Sequence, residues 1–112
     1  MEQSWRAHTP RSTPSVDTIA DGIAVRVPVP EALADLEGVV DDIVLVSDDA
    51  MKRAQHLIYR HLGLIAEPSG AAGVAALISY SSLARGLVCT SITGGNATLN
   101  RDQLQAWTAE AQ

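Results

Sequence analysis

Four consecutive residues, Ile43-Val44-Leu45-Val46, constrain this chain more than any other stretch. Three of the four are β-branched, and no polar residue alternates with them. A half-exposed strand would alternate with period two, and an amphipathic helix would leave polar gaps. An unbroken apolar run this short reads as a strand covered on both faces, the arrangement of parallel sheets. Asp41-Asp42 bounds it on one side and Ser47-Asp48-Asp49 on the other. Ser47 is a favourable N-cap, and carboxylates at 48 and 49 suit the positive end of a helix dipole. The following helix is expected to reach about Leu62, with Met51, Ala54, Ile58 and Leu62 along one face, and to stop at Gly63. Asp48–Lys52 and Asp49–Arg53 have the i,i+4 spacing of wet-side ion pairs, worth only ~0.3–0.5 kcal/mol each.

The rest of the chain extends this strand-then-helix unit. Residues 1–15 are polar, carry Pro10 and Pro14, and read as an arm. Residues 16–112 read as the folded part. Ile23–Val27 is a short extended candidate that Pro28 stops. Pro30 then opens a short helix with Ala32, Leu33 and Leu36 on its apolar face, ended by Gly38. Glu67-Pro68-Ser69-Gly70 opens another helix, from Ala71 to about Leu83. Its start is built from small residues (Ala71, Ala72, Gly73, Ala75, Ala76), so it can approach a neighbour closely. Val88–Thr93 is the next strand candidate, broken at Gly94-Gly95-Asn96. A last helix is expected near Arg101–Ala109, capped by Asn100. The chain has no phenylalanine and only 4% aromatic residues. Its core must therefore come from Ala, Val, Leu and Ile, which bury less area per residue than rings do. This order of elements predicts an α/β fold: a partial three-layer α/β/α sandwich with a mainly parallel sheet.

Several function classes lose support at this point. The net charge is −5 over 112 residues, which disfavours a nucleic-acid or anionic-membrane surface. A single cysteine, Cys89, allows neither an internal disulfide nor a Cys-based zinc cage, and between Val88 and Thr90 it is expected to be an inert core thiol. His56 and His61 are five residues apart and share no helix face, and His8 lies in the polar arm, so no metal site is expected. No apolar run is long enough to span a bilayer, and residues 1–14 lack the apolar core of a signal peptide. A cytoplasmic location is the expectation. Lys52 is the only lysine. Among flanking charges on a helix surface it is no candidate for Schiff-base chemistry.

Two features carry possible chemistry. Gly94-Gly95-Asn96 ends a strand candidate, where ligands bind in open parallel sheets, and glycine lets backbone approach a ligand. The same triplet is also an ordinary tight turn. Glu67 lies beside apolar Ile65 and Ala66 just before a helix. It is either a half-buried functional acid or a partner for the helix dipole.

Taken in order, three segments resemble one family: Asp17-Thr18-Ile19-Ala20-Asp21-Gly22, then Glu67-Pro68-Ser69-Gly70-Ala71-Ala72, then Thr93-Gly94-Gly95-Asn96. They are similar to the C-terminal part of the serine/threonine dehydratases, fold-type II enzymes that use pyridoxal phosphate. Asp41-Asp42 and Val46-Ser47-Asp48 fit the same pattern, and the resemblance runs from about residue 3 to about residue 105. It implies that residues 16–112 are the C-terminal part of that enzyme's large domain. It also implies that Gly22 lies along the cofactor ring and that Glu67 stands at the ring edge. Thr93 would face the pyridine nitrogen, with Gly94 and Gly95 shaping that wall. Most dehydratases have serine where this chain has Thr93. A neutral hydroxyl there leaves the nitrogen unprotonated and makes the ring a weaker electron sink, which suits early loss of a β-leaving group.

The resemblance also implies what these residues do not include. The family's Schiff-base lysine, its glycine-rich phosphate loop and its divalent-cation carboxylates belong to other segments. No catalytic residue is therefore assigned. The implied activity is ammonia-lyase chemistry on serine or threonine in the intact enzyme, with this chain inactive alone. Its implied partners are an amino acid and an N-terminal half or a second copy. A non-enzymatic binding module on the same scaffold, or one half of a split enzyme, are the alternatives.

Overall fold

The computed structural model describes residues 1–95, 97 and 101–109. The chain forms two compact units, one from Met1–Thr18 and Gly22–Leu45, the other from Ile19–Asp21 and the chain from Val46 onward.

In the first unit, helix α1 spans Glu2–Ala7. Arg6 donates to Glu2 Oε1 at 2.8 Å, the i,i+4 pairing that supports a short helix. It also donates to Asp42 Oδ1 at 2.8 Å and to the Ile43 carbonyl at 3.2 Å. The Glu2 hydrogen bond first, then the charge of Asp42, holds the Arg6 guanidinium above its ordinary pKa. His8 ends the helix in the left-handed region, with φ 49°. Ser4 is fully buried, and its hydroxyl accepts the Arg11 N–H at 2.9 Å, which turns the chain back over α1. Helix α2, Pro30–Ala34, starts on proline, whose fixed φ suits a first helical turn, and it buries Leu33.

The second unit is organised by helix α3, Asp48–Leu62. The Ser47 hydroxyl accepts the Ala50 N–H at 3.2 Å. Gly63 closes the helix at φ 66°, its N–H donating to the Tyr59 carbonyl at 2.8 Å. These are the cap and stop that the sequence specifies. Ser47→Ala is expected to cost about 1 kcal/mol, the usual worth of an N-cap, and urea unfolding should show it. An unchanged midpoint would mean the cap adds nothing. A tight turn over Ser69–Ala71 leads into helix α4, Ala72–Ser79, which packs along α3. Gln55, buried in α3, donates to the Ala66 carbonyl at 2.7 Å and pins the connection between the two helices. Met51 and Ile58 meet fully buried alanines, among them Ala54, Ala71 and Ala75, and Ala20 inserts into the same core. Helix α5 spans Arg101–Ala109.

The structure corrects several expectations. No segment among the described residues pairs as a strand, so the three-layer sandwich is not seen. Residues 23–27, 43–46 and 88–93 have strand composition, but a strand exists only through its ladder partners. Leu45 is 67% exposed rather than covered on both faces. Residues 2–7 form a helix where proline and polar content suggested an arm. The helix after Pro30 ends at Ala34, well before Gly38. The helix after Glu67 divides at Tyr80, with a separate turn over Ser81–Leu83. Lys52 pairs with Asp49 at 3.3 Å, while Asp48 accepts the Ile19 N–H at 3.1 Å. Asp48 thus ties down the three-residue excursion that buries Ala20. Cys89 is exposed, not a core thiol. Asn96 and Asn100, read as turn and cap residues, lie outside the described residues. No helix among the described residues is long and apolar enough to cross a membrane.

Candidate functional site

The second unit brings together Glu67, Ser69, Gly70, Thr93 and Gly94. The Glu67 N–H donates to the Gly94 carbonyl at 2.8 Å, so the residue before the α4 turn is bonded to the residue after Thr93. Gly94 has φ 70°, a conformation that favours glycine. A Cβ on Gly94 would collide with the Glu67 side chain, so the carboxyl group lies across the face of that glycine. A Cβ on Gly70 would strike the Thr93 carbonyl, and one on Gly73 would strike the Thr90 hydroxyl. Two glycines three apart thus meet two threonines three apart, and the small residues of the helical segment let it lie against the 90–93 backbone. Glu67 is half-buried, Thr93 is exposed, and Gly95 is exposed with open space around it.

This arrangement presents a carboxylate beside a stretch of backbone, Thr93-Gly94, that is held by close contact. Such a wall can accept hydrogen bonds from a flat polar group. Ser69 lies in the same turn, and its hydroxyl oxygen is buried with no hydrogen-bond partner among the described residues. Sequence reading passed over Ser69. Its signal was its place directly before a glycine that must contact backbone.

Gly22 belongs to the first unit, in an exposed tight turn over Asp21–Ile23. Lys52 is on the wet side of α3, its side chain 61% exposed and paired to Asp49. No cluster of metal-ligating side chains occurs among the described residues.

Comparison with known proteins defines the class. Residues 1–94 match the pyridoxal-phosphate dependent enzyme family, and the chain belongs to it. It is 38% identical over 90 residues to the biosynthetic L-threonine dehydratase of Bacillus subtilis, an alignment covering 79% of this chain and 21% of that protein. It is 31% identical over 87 residues to human serine racemase, covering 74% of this chain and 25% of that one. Among solved structures, the T.th. threonine deaminase superposes with a TM-score of 0.75 at 25% identity, over 88% of this chain and 36% of its own. The serine racemase of Dictyostelium discoideum gives 0.74 at 27% identity, over 88% and 32%. These structural neighbours are α/β enzymes of the pyridoxal-phosphate family. The chain thus spans about a quarter of its curated relatives and about a third of its solved ones.

The residues present fit one side of a pyridoxal-phosphate pocket. A half-buried acid against a side-chain-free glycine has the chemistry to meet the edge of a planar polar ring. The Lys52 ammonium lies 3.3 Å from Asp49 on the exposed side of α3.

Proposed function

We propose that this chain forms the late wall of the cofactor pocket in a cytoplasmic serine or threonine ammonia-lyase and acts only with a lysine-bearing N-terminal half. The observation that supports this reading is the Glu67–Gly94 hydrogen bond and contact, which set an acid against the glycine that follows Thr93. The chain's one lysine lies on the outer side of α3. Pyridoxal phosphate, when bound, supplies the electron-withdrawing ring that lets serine or threonine lose its α-proton and β-hydroxyl. Thr93 would donate a hydrogen bond from its hydroxyl to the ring nitrogen and keep the proton. Glu67 would accept a hydrogen bond at the ring edge, and Gly94 and Gly95 would keep side chains off the ring face. Water then hydrolyses the dehydrated product to a 2-oxo acid and ammonia.

The test is reconstitution. The chain is purified alone and also co-expressed with the lysine-bearing segment of the Bacillus subtilis dehydratase. Both samples receive pyridoxal phosphate and serine or threonine, and 2-oxo acid and ammonia are measured. No product from the chain alone and product from the pair is the expected result. Product from the chain alone would overturn the need for a lysine-bearing half. An inactive pair whose chain binds no pyridoxal phosphate would instead support an interaction module on this scaffold.

A further inference from the structure

We propose that Gly94 is a positioning residue for the Glu67 carboxylate, seating it against the backbone of the Thr93-Gly94 turn. Two independent contacts carry the proposal. The Glu67 N–H donates to the Gly94 carbonyl at 2.8 Å. The carboxyl carbon and Oε1 of the same glutamate occupy the place where a Gly94 side chain would begin. Glu67 is thus bonded to Gly94 through its backbone, and its carboxyl end lies where only a residue without a Cβ leaves room. Gly94 is bonded directly to Thr93, and Thr93 is itself fixed from the other side, where the buried Gly70 abuts its carbonyl. The positive φ of Gly94 alone does not explain the arrangement. Gly38, Gly63 and Gly86 also have positive φ, and a Cβ on any of them would meet nothing within 4 Å. Of these four, Gly94 alone uses its missing side chain as a seat for a carboxylate. What the seat means for a cofactor rests on the ammonia-lyase reading, whereas the seat itself does not.

The comparison between these glycines supplies the test, made on the 112-residue chain. Gly63→Ala reports the cost of the left-handed backbone alone. Gly94→Ala adds the collision with Glu67. It is expected to shift the unfolding equilibrium roughly tenfold further toward the unfolded chain than Gly63→Ala does, the low end of what overpacking causes. In a Glu67→Ala background the extra tenfold should vanish. The carboxyl carbon-13 resonance of Glu67, assigned by its loss in Glu67→Gln, should move in Gly94→Ala and stay in Gly63→Ala. A merely structural glycine would leave that resonance in place. If Gly94→Ala fails to fold, the double variant Glu67→Ala/Gly94→Ala must regain a cooperative transition. Equal costs of Gly94→Ala in both backgrounds, an unmoved resonance, or a double variant that stays unfolded would each overturn the proposal. None of these outcomes depends on catalysis, so they remain readable whatever the reconstitution assay gives.

Discussion

Gly70→Ala is expected to destabilise the second unit by about 3 kcal/mol, the upper end of ordinary overpacking. Gly70 is buried, and a Cβ there would strike the Thr93 carbonyl oxygen and carbonyl carbon. The obstacle is backbone, so no side-chain rotation relieves it. Either the turn over Ser69–Ala71 or the chain at Thr93 must shift. Alanine recovers up to ~1 kcal/mol of helical preference over glycine, which offsets only part of the cost. With urea slopes of roughly 1–3 kcal/mol per molar for small proteins, the midpoint should fall by on the order of 1 M or more. The same displacement should move Thr93, so any cofactor affinity in the reconstituted pair should drop as well. A midpoint within error of the wild type would mean that helix and threonine do not approach this closely.

The sequence made α3 legible to the residue and left other features hidden, for physical reasons that particular residues show. Ser47, the run to Leu62 and Gly63 are local signals: a cap, a stripe and a stop that need no distant partner to be read. The strand candidates failed because pairing is a relation between distant segments, and Ile43–Val46 carries no information about its partner. Helix α1 was read as an arm from its polar content and prolines; its support, the Glu2–Arg6 pair at i,i+4, was not weighed. Asp48 shows the converse limit. Its spacing to Lys52 suggested a helix-surface ion pair, yet its carboxylate accepts an N–H from Ile19, 29 residues away.

The site divides along the same line. Glu67, Thr93 and Gly94 were legible as an ordered motif set, and the structure brings these three together in one unit. Their coupling was not legible, because nothing local to Glu67 says that its carboxylate rests on a glycine far along the chain. Cys89 was misplaced by its neighbours: Val88 and Thr90 look like an interior strand, but the thiol is exposed. Leu87, two residues before it, is fully exposed. A segment of interior composition left at the surface is a site for association.

Ile58→Ala is expected to have the largest effect on stability, about 4 kcal/mol, near the top of the range for truncating a buried aliphatic side chain. Ile58 is 3% exposed in α3, and among the described residues Met51 is the only other large side chain buried in the same cluster. The remaining buried partners are alanines, several of them at 0% exposure. Alanine has no rotamers with which to reach into a void, so the cavity left by Ile58 cannot collapse from that side. Met51 can follow, and so in part can Ile78 and Ile92, which pack against the cluster from its rim. Natural domains have only ~5–15 kcal/mol of stability, and among the described residues no aromatic ring is buried in this core, so the loss should abolish a cooperative melt at physiological temperature. Ile58→Val should cost ~1 kcal/mol. Leu57→Ala, at a position 38% exposed on the same helix, should cost less than Ile58→Ala by a wide margin, since surface changes usually stay near ~0.5 kcal/mol. If Ile58→Ala and Leu57→Ala cost the same in urea unfolding, the alanine-lined cluster is not what holds α3 and α4 together.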